Sequence, residues 1–83
     1  MAIEVRLFAL LKEKAGTESF SLSWQNFQTI GDVMAVIEKQ HPQLAQSHSI
    51  ISFARNGEYA RAEDPISDGD ELALIPPIAG GRG

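Results

Sequence analysis

Thr29-Ile30-Gly31-Asp32-Val33-Met34-Ala35-Val36-Ile37 is the stretch that decides the fold class. Ile30, Val33, Met34 and Ile37 fall at i, i+3, i+4 and i+7, the spacing of one stripe of an α-helix. Thr29 with Asp32 three residues on forms a near capping box, with Asp in the place usual for Glu or Gln. Pro42 stops the helix after about three turns, since proline has no N–H to continue the ladder. His41 stands just before it, at the negative end of the helix dipole. One amphipathic helix cannot cover its own apolar stripe, so the rest of the chain must supply the covering layer.

Working outward, that layer reads as strands. On the N-terminal side Ile3, Val5 and Leu7 alternate with Glu4 and Arg6, the period-two pattern of a half-buried strand. Ala9 to Ala15 are good helix formers and predict a turn or two of helix, with Gly16 as its C-terminal cap. Phe20 and Leu22 alternate with Ser19, Ser21 and Ser23, whose hydroxyls belong on the wet face of a second strand. Trp24 and Phe27 follow in a loop, with at least one of them packing on the core.

On the C-terminal side Gln43 to Ser49 reads as a loop, and Ile50 to Arg55 as a third strand. Asn56-Gly57 is a hairpin signal, because a type I′ turn needs positive φ at both central residues. Glu58-Tyr59-Ala60 returns as a short strand. Glu63-Asp64-Pro65 and Asp68-Gly69-Asp70 are turns, and Glu71 to Ile75 is the last strand. The order β-β-α-β-β-β predicts an α+β domain with a mixed sheet packed on one main helix.

Composition bounds the chemistry. The 83 residues make one small domain, able to bury about 60% of its unfolded surface. An apolar share of 43% and a charged share of 22% fit a packed core rather than a disordered chain. With no cysteine there is no disulfide, thiolate metal site or thiol nucleophile. A net charge of −4 opposes non-specific nucleic-acid binding and favours a partner with a basic surface. No run approaches a membrane span and no signal sequence is evident, so no membrane association and a cytoplasmic location are expected.

Conventional active-site patterns fail one by one. His41 and His48 flank no Cys or Glu at a zinc-type spacing and read as surface histidines, so no metal is expected. Glu63, Asp64, Asp68, Asp70 and Glu71 miss the ligand spacing of an EF-hand and read as turn or solvated residues. The glycines form neither a GxGxxG nor a P-loop.

What remains is the end of the chain, Ile75-Pro76-Pro77-Ile78-Ala79-Gly80-Gly81-Arg82-Gly83. Pro76 and Pro77 end the strand and predict a semi-rigid, extended arm. Ala79, Gly80 and Gly81 are thin enough to enter a narrow channel, and Pro76 to Gly81 spans about 20 Å when extended. The chain therefore divides into a domain, 1–75, and a C-terminal tail, 76–83.

The order strand, Pro-Pro, small residue, Gly-Gly resembles the small, ubiquitin-like subunit of molybdopterin synthase, a family of sulfur carriers. Ile3-Glu4-Val5-Arg6-Leu7-Phe8-Ala9, with Leu11-Lys12-Glu13 and Gly16, is similar to that family's opening. Asp68-Gly69-Asp70-Glu71-Leu72-Ala73-Leu74-Ile75-Pro76-Pro77-Ile78-Ala79-Gly80-Gly81 is similar to its closing motif. The resemblance implies a β-grasp with the first and last strands side by side at the centre. It also implies that an E1-like adenylyltransferase uses ATP to adenylate the terminal glycine, and that a sulfurtransferase then supplies sulfur. The tail would enter the large subunit of molybdopterin synthase and give that sulfur to a pterin precursor, cyclic pyranopterin monophosphate (precursor Z), in molybdenum cofactor biosynthesis. On this resemblance Gly81 carries the sulfur, Gly80 threads the channel, and Pro76, Pro77, Ile78 and Ala79 complete the partner-binding tail. Phe8, Leu7 and Phe53 are candidates for further apolar contacts. No bound cofactor is implied.

The chemistry suits a chain without cysteine. A carboxylate is a poor electrophile, but as an acyl-adenylate it has a good leaving group, and a sulfur donor converts it to a thiocarboxylate. Glycine offers no Cβ to obstruct that attack. The family ends at the second glycine, whereas here Arg82-Gly83 follows. Three states fit this departure: a precursor trimmed to Gly81, activation at Gly83 on an arm about 7 Å longer, or a chain unable to carry sulfur as written. Other functions share the features: a sulfur carrier for thiamine, cysteine or transfer-RNA thiolation, a ubiquitin-like protein modifier, and an interaction module with an inert tail.

Overall fold

The computed structural model describes residues 1–77, and in it the helix around Met34 is α2 (Ile30–Gln40). Its capping box is complete. Thr29 Oγ1 accepts from the Asp32 N–H at 3.2 Å, and Asp32 Oδ2 accepts from the N–H groups of Gln28 and Thr29 at 3.0 and 3.1 Å. The Gln28 and Thr29 donations hold the Asp32 carboxyl below the usual carboxylate range, a slight desolvation opposing them.

The strands are β1 (Ala2–Leu7), β2 (Ser19–Ser23), β3 (Ser52–Arg55), β4 (Glu58–Ala60) and β5 (Glu71–Ile75). They form one sheet in the order β2-β1-β5-β3-β4. β1 and β5 run parallel beside each other, and every other pairing is antiparallel. This is the expected β-grasp: the N- and C-terminal strands meet within the sheet, and α2 covers one face.

Register decides which side chains reach that face. Val5 pairs with Leu72, Leu7 with Leu74, Phe53 with Leu74 and Ile3 with Leu22. Side chains directly opposite one another share a face, so these positions pack together against Ile30, Val33, Met34 and Ile37. All four helix residues are fully buried.

The expected small features also form. The short helix α1 (Ala9–Ala15) ends on Gly16 at φ 78°, whose N–H donates to the Lys12 carbonyl at 3.0 Å. Asn56 and Gly57 take φ 51° and 87°, as a type I′ hairpin requires. Phe27 is buried in the core, and Trp24 packs edge-on to it with ring centroids 5.4 Å apart.

Two expectations need correction. The segment Gln43–Ser49, expected as a loop, holds most of a helical turn α3 (Pro42–Ala45) and the start of a 3₁₀ turn, His48–Ile50. Pro42 both ends α2 and starts α3, because at the first helical position its missing N–H costs nothing. Leu44 anchors α3 in the core. The third strand, expected from Ile50, begins at Ser52, because the Ile51 N–H closes the 3₁₀ turn on the His48 carbonyl. Among the described residues, no helix is long and apolar enough to cross a membrane.

Candidate functional site

β5 is the root of the tail and is held on both sides. It pairs with β1 from Glu71 to Leu74 and with β3 from Leu72 to Ile75. A strand bonded along both edges cannot swing, so Pro76 leaves the domain from a fixed point. Pro76 is half-buried and Pro77 exposed. Ile78, Ala79, Gly80, Gly81, Arg82 and Gly83 lie outside the described residues, and with them the glycines assigned to the reaction.

Two surfaces flank this root. The first is the sheet face opposite α2. Register aligns Arg6, Ala73, Ala54 and Tyr59 in one row across β1, β5, β3 and β4. The central alanines are half-buried, and at the row's end Tyr59 is 81% exposed. Phe8 stands nearer the tail at 42% exposure, with the Arg6 guanidinium 6.0 Å from its ring centroid. Arg6 Nη1 also meets Glu71 Oε2 at 3.2 Å, but both side chains are so open to water that the pair adds little. The second surface, which shares Phe8 and Ile75 with the first, is a groove between α1, the His48–Ile50 turn and the end of β5.

Of the three expected apolar contact residues, only Phe8 is on the surface. Leu7 and Phe53 are 2% and 6% exposed and belong to the core. Leu7 has the inward parity of Ile3 and Val5, so its neighbour Phe8 necessarily points the other way. The histidines are brought to no common centre. His41 stacks on Phe20 with centroids 4.6 Å apart, and His48 Nδ1 meets the Glu38 carboxylate. Among the described residues, no group of three or more His, Cys, Asp or Glu is placed to hold a metal.

A strand-rooted tail with Pro-Pro at its exit thus stands between a mixed polar and apolar sheet face and an apolar groove. The family model described as the ThiS family matches residues 5–81, from β1 to the second tail glycine. This chain belongs to the ThiS family. The molybdopterin synthase sulfur carrier subunit of Chlamydomonas reinhardtii is 37% identical over 98% of this chain and 100% of that protein. Small archaeal modifier protein 1 of Haloferax volcanii is 34% identical over 95% of this chain and 100% of its own length. The crystal structure of SAMP1 from the same organism superposes with a TM-score of 0.85, covering 98% of this chain and 100% of that one at 34% identity. A protein–protein complex of subunits 1 and 2 of the molybdopterin-converting factor from Helicobacter pylori contains a chain with TM-score 0.69. That chain is 26% identical, and the match covers 98% of this chain and all of the other.

Within this ThiS-family chain, three exposed residues on these two surfaces escaped sequence reasoning. Tyr59 was legible only as part of a short strand, and its outward face follows from its pairing with Ala54. Leu10 and Ile50 are 49% and 51% exposed, and both line the groove. Leu10 lies in a run of helix formers, and Ile50 in what looks like a strand. Neither pattern signals an exposed side chain.

Proposed function

We propose that this chain is the sulfur-carrying small subunit of a molybdopterin synthase. The observation that carries the proposal is the tail's placement: the closing motif through Gly81 leaves a strand fixed in the middle of the sheet, in a chain whose relatives include named sulfur carriers of that enzyme. In this reading a carboxylate oxygen of the terminal glycine attacks the α-phosphorus of ATP on an activating enzyme and releases pyrophosphate. Sulfur at the hydrosulfide level then attacks the acyl-adenylate carbon, the bond to the AMP oxygen breaks, AMP departs, and loss of a proton leaves the terminus a thiocarboxylate. The domain does no bond chemistry. It presents the arm to successive partners, and the large subunit receives it.

The sheet face bearing Phe8, Ile75 and Tyr59 is the docking surface this reading assigns to the large subunit. Tyr59 and Phe8 are exposed on it among charged and serine side chains, and Ile75 joins it to the tail exit. Gly81 is the acceptor once Arg82-Gly83 is removed, since a bulky cation in place of glycine would obstruct a narrow channel. With Arg82-Gly83 retained, Gly83 takes that role.

The relationship to small archaeal modifier protein 1 supports a second reading, attachment of the chain through its terminal glycine to lysines of other proteins. One reconstitution separates the readings. The full-length chain and a chain ending at Gly81 are incubated with activating enzyme, ATP and sulfur donor, and then offered to the large subunit with a pterin precursor. Thiocarboxylate and dithiolene product are expected, and both disappear when the chain is cut after Ala79. Isopeptide-linked conjugates in cells without any thiocarboxylate would favour the modifier. Unchanged activity after the cut would leave only an inert-tailed interaction module.

A further inference from the structure

β2 is an end strand of the sheet, and among the described residues no strand pairs with its outer edge. The register shows which groups that edge presents. The Leu7 N–H donates to the Glu18 carbonyl at 2.9 Å, and the Trp24 N–H to the Met1 carbonyl at 2.9 Å. Bonded and non-bonded pairs alternate along an antiparallel ladder, so between these two it is Phe20 and Leu22 that bond to β1. Ser19, Ser21 and Ser23 turn their N–H and C=O groups outward. Thr17 Oγ1 donates to the Ser19 carbonyl at 2.9 Å and leaves that oxygen a second lone pair.

Open edges are usually blunted by shortness, charge, proline or a bulge. β4, at the other end of the sheet, is blunted: its three residues start at Glu58 and run into Arg61. β2 has five residues, no charge and no proline, and its register with β1 is unbroken.

We propose that this edge pairs with β2 of a second copy, antiparallel, about a two-fold axis at Ser21. Ser19-Phe20-Ser21-Leu22-Ser23 has the same polar and apolar order in both directions. With Ser21 facing its counterpart, Ser19 faces Ser23, and the outward groups of both copies all find partners. A shift of two residues leaves a serine of each copy unpaired, and a shift of one opposes groups already bonded to β1. On the inner face Phe20 meets Leu22 in a non-bonded pair, where side chains lie closest. Glu18 falls opposite Trp24, so no like charges face each other across the ladder. This inference does not rest on sulfur carriage. It joins two five-stranded sheets into one, leaves β4 and β5 free, and sends the two tails out at opposite ends.

The test uses the full 83-residue chain, which has no cysteine of its own. In sedimentation equilibrium the mass should rise from 9.0 kDa toward twice that value between micromolar and millimolar concentration. Ser21→Lys sets like charges against each other at the axis, while Glu4, which accepts from Ser21 Oγ at 3.2 Å, stays beside the new charge. It should keep the circular dichroism of the unaltered chain and weaken the dimer about fivefold. Ser21→Cys should form a disulfide-linked dimer on mild oxidation, because bonded pairs hold Cα atoms about 5.5 Å apart, within disulfide range. Ser23→Cys faces Ser19 of the other copy and should cross-link at least tenfold more slowly. A mass that stays at 9.0 kDa throughout overturns the proposal. A dimer unchanged by Ser21→Lys overturns it too and places the contact elsewhere, as in the groove beside the tail. Equal cross-linking of the two cysteine variants marks random collision and also overturns it.

Discussion

Arg55 Nε donates to Asp70 Oδ2 at 2.6 Å, tying the β3–β4 hairpin to the turn from which β5 starts. The same carboxylate accepts from Asn56 Nδ2 at 3.0 Å and from the Ser67 N–H at 2.8 Å. Asn56 Oδ1 in turn accepts from the Glu71 N–H at 2.9 Å. The network thus fixes where the tail-bearing strand begins. Burial pushes the Asp70 carboxyl up, but the Arg55, Asn56 and Ser67 donations and the Arg55 charge together outweigh it, leaving it below the ordinary range.

Asp70→Ala removes a charged acceptor from three donors and should cost about 2 kcal/mol. The readout is a lower urea midpoint with unchanged slope. The pH dependence has a definite sign. The folded carboxyl titrates below its unfolded value of about 3.9, so its stabilisation is full above that pH and is lost as pH falls through the folded value. Urea midpoints measured down the acid limb should therefore fall less steeply in Asp70→Asn than in the unaltered protein.

Thr29→Ala deletes the N-cap acceptor of α2 and leaves the Asp32 N–H without its side-chain partner. A loss of about 1 kcal/mol is expected. The far-ultraviolet circular dichroism should stay unchanged, since the buried stripe of Ile30, Val33, Met34 and Ile37 still holds the helix on the sheet.

Neighbouring residues of β1 and its exit should behave in opposite ways. Leu7→Ala opens a cavity in the core and should cost about 2–5 kcal/mol. Phe8→Ala and Tyr59→Ala change exposed side chains and should leave stability within about 0.5 kcal/mol. If the outer sheet face is the docking surface, each should weaken large-subunit binding by about tenfold or more in calorimetry. Undiminished binding in both would remove that face from the interface.

The elements that carry regular periods were legible in the sequence. The 3.6-residue stripe from Ile30 to Ile37, the alternation of Ile3 to Leu7 and the Asn56-Gly57 turn each have one physical reading, and the structure follows it. Pro42 and Ile50 were not legible, for different reasons. A proline stops one helix and starts another with equal ease, and Ile50 is apolar without being buried. The order of strand, prolines and glycines pointed to the tail, whereas its flanking surfaces needed the sheet register. Only the register places Tyr59, forty-nine residues after Leu10 in the sequence, on the outer face, while Phe53 faces the core.

The central claim, that a C-terminal glycine carries sulfur, is tested most directly by intact mass spectrometry of the protein recovered from its own cells. The expected result is a mass ending at Gly81, with a fraction heavier by the substitution of one sulfur for one oxygen. The same increment on the full-length chain would move the reactive residue to Gly83 and keep the claim. A full-length mass without sulfur, persisting after incubation with activating enzyme, ATP and sulfur donor, would contradict it.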